Sequence, residues 1–472
     1  MVKKMKQFKK LLLVIPAFLL IVSCGDDFTI LAPQSERNVE NFYQTDTDFR
    51  TAINGAYAGL ASNSLYGRNF MLLHEMRSDN TSNAGGATGL AESLERITRF
   101  NELPGATELE NTWAGGYSVI ARTNTILNRI GNADLDNPAL GERIRGEALF
   151  IRALVYYNMA ITFGNIPMQL DEVTSPQVEI NQVSAEVIYN QIASDLEVAE
   201  GLLPASYTGN DIGRATSGAA ATLLGLVHLT AGNSGQAEAA LRRVVNSGQY
   251  DLVTNYANIW GPANKNSVES IFEIQYKSGG QGTGSGFTEY YSPDLSISGG
   301  VGGGNVPQGV TADLLANFDE ENDERYDGSF GLAEDETIYL SKYDAPQSIA
   351  FDSDANFMVF RYADALLMLA EAIGDTPEAY GLINEVRQRA GLTEPFETLA
   401  GSFEEKLLEE RRREFVGENK RWPDLLRYGV APQVMSDFLA DEGFTPADIR
   451  LLYPIPQREL DSAPGQLTQN PL

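Results

Sequence analysis

The chain has 472 residues, of which 64 are acidic and 35 basic, and its formal net charge is −29. Such an acidic chain repels nucleic acid and anionic membrane surfaces, which excludes nucleic-acid binding and favours a neutral ligand over a polyanionic one. One cysteine and two histidines exclude an intrachain disulfide and leave little material for a Cys/His nucleophile or a histidine-rich metal site.

The N-terminus has the pattern of a lipoprotein signal peptide. Five lysines precede an apolar run from Leu11 to Val22, which is followed by Ser23 and Cys24. A run of about a dozen residues is too short to span a bilayer, which needs roughly 20, but it suits a secretion signal. We therefore expect residues 1–23 to be removed, which takes the net charge to −34, and Cys24 to carry a lipid anchor.

The acidic pair Asp26-Asp27, directly after Cys24, resembles the export signal that carries Bacteroidetes lipoproteins to the cell exterior. The expected location is the outer membrane, with the protein lipid-anchored and exposed on the cell surface. Residues 24–44 are polar and lack any helical or strand period, so they are interpreted as a tether.

A helical part is predicted over residues 45–260. Thr45 and Asp48 form a capping-box pattern, and Phe49 and Ile53 begin an apolar face at helical spacing. Gly232-Asn233 separates two helices rich in small residues, a pattern similar to tetratricopeptide hairpins. Further helices are predicted at 111–130, 143–163, 184–202, 216–231 and 234–245.

The second part, residues 261–472, is predicted to be less regular. Residues 270–276 alternate as a short strand, and 279–304 are rich in glycine and serine, which argues against a packed helix there. A late helical pair is expected at 358–373 and 376–390. The fold class is therefore mainly α, with tetratricopeptide-like hairpins as a scaffold, an irregular loop-rich part and a few short strands.

Several segments, in chain order, resemble the SusD/RagB family of outer-membrane nutrient-binding lipoproteins. Phe360-Arg361-Tyr362-Ala363-Asp364 opens a helix that looks like the most characteristic one of the family. The similarity extends over nearly the whole mature chain, and its other segments are 52–57, Asp79-Asn80, Trp113, 147–167, 383–392, 410–415, 421–427, 453–456 and 467–471.

The resemblance implies a function in binding, without catalysis. Members capture a glycan at the cell surface and deliver it to a SusC-like TonB-dependent transporter, on which they dock as a lid. We therefore expect an oligosaccharide or polysaccharide ligand, and a neutral one in preference to a charged one. Two alternatives stay open: a peptide or small-nutrient binder of the same family, and a surface glycoside hydrolase or lyase using two of the many carboxylates.

Candidate ligand-binding residues lie in two loops. Glycan binding requires flat apolar faces for the C–H patches of sugar rings and planar polar groups for their hydroxyls. By the family motif, Asp79 and Asn80 carry over, although both also suit a turn that bonds its own backbone. The other candidates are placed by neighbourhood, with packing against the scaffold as the alternative for the tyrosines: Tyr66, Arg77, Asn83, Phe287, Tyr290, Tyr291 and Tyr343.

Two acidic patterns are interpreted as structural. Arg361, Asp364 and Glu371 form a charged stripe on an apolar helix, and buried charges of this kind need partners, for which Arg387, Arg389 and Arg411–Arg413 are available. Asp319–Asp323 alternates like a calcium loop, but Glu324 occupies the position where the sharp turn needs glycine. No cofactor is expected, with a structural calcium ion as the alternative.

Overall fold

The structure is a computed structural model that describes residues 42–82, 91–175, 180–293, 309–445 and 448–471. The predicted signal peptide, Cys24 and most of the tether lie outside these residues, and so does Asn83. The N-terminal elements are α1 (Asp46–Leu60), α2 (Asn69–His74), β1 (Thr81–Ser82), α3 (Ala91–Thr98), α4 (Thr107–Ile130), α5 (Pro138–Phe163), β2 (Ile166–Pro167), β3 (Gln182–Val183), α6 (Ala185–Leu202), α7 (Ser217–Thr230) and α8 (Ser234–Val245).

The C-terminal elements alternate short strands with helices. They are β4 (Ser270–Ile274), α9 (Phe287–Tyr291), β5 (Gly309–Val310), α10 (Ala312–Ala316), α11 (Arg325–Ser329), β6 (Phe330–Leu332), β7 (Ile338–Leu340), β8 (Phe357–Arg361), α12 (Tyr362–Ile373), α13 (Pro377–Arg389), α14 (Phe403–Glu414), α15 (Arg421–Arg427), α16 (Ala431–Asp441) and α17 (Gln457–Ser462). The predicted fold class, mainly α with few short strands, is confirmed.

Successive helices pack against each other. Helices α4 to α8 each contact the next one along the chain, and α12 then packs against both α8 and α13. The late helical pair therefore extends the early stack, so that one apolar core runs from Phe49 and Ile53 of α1 to Ile383 of α13. Small residues allow this close approach, since a Cβ at Gly225 would lie 2.5 Å from the Leu241 side chain.

Two antiparallel strand pairs join segments that are far apart in sequence. Strand β4 pairs with β8, with Phe272 opposite Phe360, and β1 pairs with β5, with Ser82 opposite Gly309. The second pairing holds together the strand ends that lead into residues 83–90 and 294–308. Ser82, near the end of the first segment predicted to carry ligand residues, therefore lies beside Gly309.

Local predictions differ from the structure in several places. Helices α4 and α5 begin earlier than predicted, at Thr107 and Pro138 and not at 111 and 143. The late helix begins at Tyr362 and not at Met358, because residues 357–361 form β8 and pair with β4. Residues 287–291, inside the stretch predicted to exclude a packed helix, form the single helical turn α9, whose five side chains are all buried. Thr45 and Asp48, in contrast, make both capping-box hydrogen bonds as predicted.

The charged stripe is paired inside the protein. Arg361 is fully buried and donates to Glu269 at 2.8 Å, to Glu418 at 2.9 Å and to Glu414. The predicted pairing is thus confirmed, but the partners are right only in part. Asp364 lies 3.7 Å from the predicted Arg411 and 3.2 Å from Lys420, and Glu371 pairs with Arg427.

Among the residues described, no helix has both the length and the apolarity needed to cross a membrane.

Candidate functional site

The structure places the predicted ligand residue Arg77 in the interior. Its guanidinium lies between the rings of Phe100 and Tyr453, at 4.4 and 3.9 Å from their centroids, and pairs with Glu102. It also donates to the Arg450 carbonyl at 2.6 Å. These contacts give Arg77 a structural role in linking α2 to the C-terminal segment, and it presents no exposed surface to a ligand.

Asp79 and Asn80 also form buried contacts within the protein. Arg421 donates to both carboxylate oxygens of Asp79 at 2.8 Å. Although burial opposes ionisation, this arginine and Arg412 hold the pKa of Asp79 below its usual range. Asn80 donates to Glu75 at 3.1 Å and accepts from Arg412 at 2.9 Å. The ligand role predicted for these residues stays a prediction, and the described contacts are structural.

Four predicted aromatic residues form one buried cluster around Phe357. Phe287, Tyr66 and Tyr343 lie 5.5, 5.6 and 5.9 Å from its ring, and Tyr291 stacks on Tyr343 at 5.3 Å. All four are at most 4% exposed, and burial raises the pKa of Tyr66 and Tyr343. These rings are part of the core and offer no face to a sugar in this conformation.

A small cavity, partly open to the surface, lies beside this cluster. Tyr66, His74 and Asp364 are among the residues that line it, and its volume is about 50 Å³. A buried water needs on the order of 10–15 Å³ of such space, so the cavity has room for a few waters and not for a sugar ring. The contacts described for Tyr66 are structural, and its predicted ligand role stays a prediction.

Tyr290 is the predicted aromatic residue that reaches an exposed surface. It is 8% exposed and packs against Phe351, whose ring centroid is 5.7 Å away and whose side chain is 42% exposed. Ile349, two residues earlier, is 48% exposed. Burial raises the pKa of Tyr290, and the nearby guanidinium of Arg68, itself about a third exposed, partly opposes this. We call the surface formed by Arg68, Tyr290, Ile349 and Phe351 the aromatic shelf.

The backbone of Phe351 is held in an unusual conformation. Its φ is +56°, in the left-handed region that costs a non-glycine residue about 1–2 kcal/mol. Its amide donates to the buried carboxylate of Glu289, which also accepts from Gln347. A carboxylate supplied by α9 thus fixes the turn that presents the ring. Strain of this type is frequent at binding sites.

The loop 276–286 contacts the residues next to Phe351 and holds the shelf in place. Asp352 accepts from the amides of Gly279 and Gly280 at 2.8 Å, and these two bonds lower the pKa of its carboxyl. Ser285 and Ser353 exchange backbone hydrogen bonds at 3.0 and 2.9 Å. A Cβ at Gly286 would lie 2.9 Å from the Phe351 ring and 3.0 Å from that of Tyr290, so glycine is required for this packing.

Phe351 and Ile349 were missed by the sequence-based prediction. The available signal was two large apolar residues, Ile349 and Phe351, in a polar stretch that ends in Asp352-Ser353-Asp354. Exposed single apolar residues are common, so this signal alone is weak. Their joint position at the surface depends on contacts between this turn and a loop about 70 residues earlier. The sequence does not show these contacts.

Acidic side chains of the calcium-like segment Asp319–Asp323 accept hydrogen bonds from other residues of the protein. Arg325 donates to both carboxylate oxygens of Asp323, at 2.8 and 2.7 Å, and Asn322 donates to Asp319 at 2.9 Å. Within the described ranges, no group of three or more His, Cys, Asp or Glu side chains is placed to hold a metal ion. The expectation of no cofactor stays a prediction.

Comparisons with known proteins agree with this architecture. Residues 324–472 match the SusD family, and residues 33–229 match the family described as starch-binding associating with outer membrane. The SusD-like protein P25 of Formosa agariphila is 25% identical over 94% of this chain and 95% of its own length. The starch-binding protein SusD of Bacteroides thetaiotaomicron is 35% identical over 25% of this chain and 22% of its own length.

Solved structures extend the likeness to the fold. The surface glycan-binding protein A from Bacteroides fluxus has a TM-score of 0.81 at 26% identity, over 91% of this chain and 99% of that one. A laminarin-binding SusD-like protein has a TM-score of 0.78 at 26% identity, over 91% of this chain and 100% of that one. The two family matches lie one in each half of the chain, and the chain belongs to the SusD/RagB family.

Proposed function

We propose that this protein binds a neutral glycan at the cell surface, with the aromatic shelf as its contact surface. Phe351 carries the proposal, because it is an exposed aromatic ring held rigidly at φ +56° by Glu289. A ring face of this kind packs against the C–H patch of a sugar, and Arg68 beside Tyr290 supplies planar donors for hydroxyl groups.

A laminarin-type β-glucan is the first candidate ligand. The structural relative named for laminarin binding is similar over 91% of this chain. The net charge of −29 disfavours polyanionic glycans, whereas laminarin is uncharged. Binding of this kind requires only a shaped surface with few polar groups, and no reacting residue.

Affinity electrophoresis tests this function. The purified protein is run through gels containing laminarin, other β-glucans, α-glucans, fructans or mannans, beside Phe351→Ala and the control Leu332→Ala. Leu332 is 68% exposed on β6 and does not belong to the shelf. We expect laminarin to retard the wild type and the control, and Phe351→Ala to weaken binding roughly tenfold or more, as for other aromatic contact residues.

Three results would contradict the proposal in different ways. Equal retardation of wild type and Phe351→Ala would remove the shelf as the site. Retardation by another polymer alone would change the ligand, and absence of retardation by every polymer would favour peptides or short saccharides. Release of reducing sugar from the gel polymer would mean that the protein is a hydrolase or lyase.

We propose further that Cys24 anchors the protein in the outer membrane and that the bound glycan passes to a SusC-like TonB-dependent transporter. Family membership and the match described as associating with outer membrane support both statements. Palmitate labelling of the wild type, lost in Cys24→Ala, tests the anchor. Co-purification of a TonB-dependent barrel with the tagged protein from native membranes tests the partner, and labelling of Cys24→Ala or recovery of the protein alone would refute them.

A further inference from the structure

The loop 276–286 borders a second surface depression besides the aromatic shelf. This depression has a volume of about 470 Å³, and its walls include Tyr57 of α1, the segment Ile212–Arg214 and the loop residues Gly282–Gly284. Strand β4 contributes the buried side chain of Ile274. The depression is large enough for part of an oligosaccharide, in contrast to the small cavity beside Tyr66.

A smaller depression adjoins the first one. Its volume is about 150 Å³, it is lined by Tyr207 and Tyr250, and it shares Ile212–Arg214 with its larger neighbour. Ile212 is 52% exposed, so an apolar side chain stands between the two. We call both depressions together the tyrosine groove, defined by Tyr57, Tyr207, Ile212 and Tyr250.

The polar groups of the groove are suited to hydroxyl-rich ligands. Asn54 and Asn210 place exposed side-chain amides along the larger depression. The Tyr207 hydroxyl is buried and has no hydrogen-bond partner among the residues that the structure describes. A polar atom in this state is unfavourable until a ligand or a water binds it. Tyrosine rings with side-chain amides form the combination that sugar rings and hydroxyls require.

The central wall of the groove is rigid and nearly neutral. Arg214 donates to Glu147 at 2.9 Å, to Asp211 at 2.8 Å and to Asn54 at 2.7 Å. Arg143 pairs with the same two carboxylates, at 3.2 Å from Glu147 and 2.8 Å from Asp211. Two guanidinium groups and two carboxylates therefore balance, which disfavours a charged ligand. Gly213, at φ +91°, lies so close to Gln275 that a Cβ would be 2.6 Å from the amide carbon. A preformed wall reduces the ordering that binding would otherwise require.

We infer that the tyrosine groove is a second saccharide-binding site, which holds another stretch of the same neutral polysaccharide that contacts the aromatic shelf. This inference rests on the proposed function. The loop 276–286 borders both surfaces, since Gly284 lines the groove and also lies against Asp352, the neighbour of Phe351. A polymer long enough to cross this loop engages both sites, and each contact raises the effective concentration for the other.

Hydrogen–deuterium exchange of the full chain with and without laminarin tests the inference. We expect slower exchange in peptides covering 206–216 and 276–284 as well as in shelf peptides covering 285–292 and 347–354. Protection of the shelf peptides alone would overturn the groove and leave the proposed function standing. Protection of neither set would overturn the proposed function and the groove with it.

A double variant gives an independent measurement. Ile212→Ala with Asn210→Ala alters exposed side chains only, and Leu332→Ala is again the matched control. In laminarin gels we expect the double variant to bind at least threefold more weakly than the control, while laminarihexaose, measured by calorimetry, still binds to the shelf. Equal affinity of the double variant and the control for laminarin would overturn the inference, provided that both unfold at the same temperature.

Discussion

The ion network around Glu414 and the turn that carries Phe351 use carboxylates for different purposes. Glu414 is fully buried among Arg325, Arg361 and Arg389, which hold the pKa of its carboxyl far below the usual range despite burial. At the shelf, Glu289 and Asp352 instead accept backbone amides and hold a strained turn. The charges buried around Glu414 thus maintain the architecture, whereas Glu289 and Asp352 shape the proposed binding surface.

The largest expected effect is a loss of folding stability when the ion network around Glu414 is disrupted. Replacing Glu414 by alanine leaves three buried guanidinium groups with one partner fewer, and loss of one member of a buried ionic group costs about 3–5 kcal/mol. Urea unfolding would measure this. The matched control is Glu378→Ala, which breaks an exposed pair with Arg242 and should cost far less stability, because exposed ion pairs contribute little. Similar losses in both variants would contradict the view that the network is a stabilising core.

The same contrast explains which features the sequence predicts. Helices with strong caps or small-residue breaks, such as Thr45–Asp48 and Gly232-Asn233, were placed correctly because local chemistry determines them. The start of α12 was misplaced because Met358, Val359 and Phe360 are apolar in either a helix or a buried strand, and only the partner β4 decides between them.

The candidate site was predicted less well than the fold. The sequence does not show whether Arg77 and Asp79 face a ligand or a buried ion pair. Their role is decided by partners that are distant in sequence, such as Arg421, more than 300 residues from Asp79. Tyr290 was chosen for its position within the glycine-rich stretch 279–304, and its ligand role stays a prediction. Phe351 lies beside it only because Gly286 leaves room for both rings.

A second prediction concerns the pH dependence of stability, which we expect to depend on the buried His74 and not on the shelf. Burial, with a smaller contribution from Arg77, lowers the pKa of His74 to about 3 from the model-peptide value of 6.5. Between those values the unfolded chain binds a proton that the folded chain does not, so stability falls as the pH decreases. At pH 5 the loss is about 2 kcal/mol relative to neutral pH.

Urea unfolding at pH 7 and pH 5 checks this, with His74→Gln compared to the wild type. The comparison with the variant is necessary because burial raises the pKa of Glu75, Glu147 and Glu273, which contribute with the opposite sign. The variant should lose about 2 kcal/mol less between the two pH values. Glycan affinity should stay constant over this range, because the shelf contains no histidine. An unchanged difference in the variant would show that His74 is not the group responsible.

The smallest expected effect concerns the strained turn and distinguishes it from an ordinary loop. At most loop positions glycine is less stable than alanine, because glycine gives the unfolded chain more freedom. At position 351 the φ of +56° reverses the order, since alanine keeps a left-handed strain of about 1 kcal/mol that glycine avoids. Phe351→Gly should therefore be more stable to urea than Phe351→Ala, although both lose the ring and bind laminarin equally weakly. If Phe351→Ala were the more stable, the turn would not be strained, and the presentation of the ring would depend on the packing of Tyr290 and Gly286 alone.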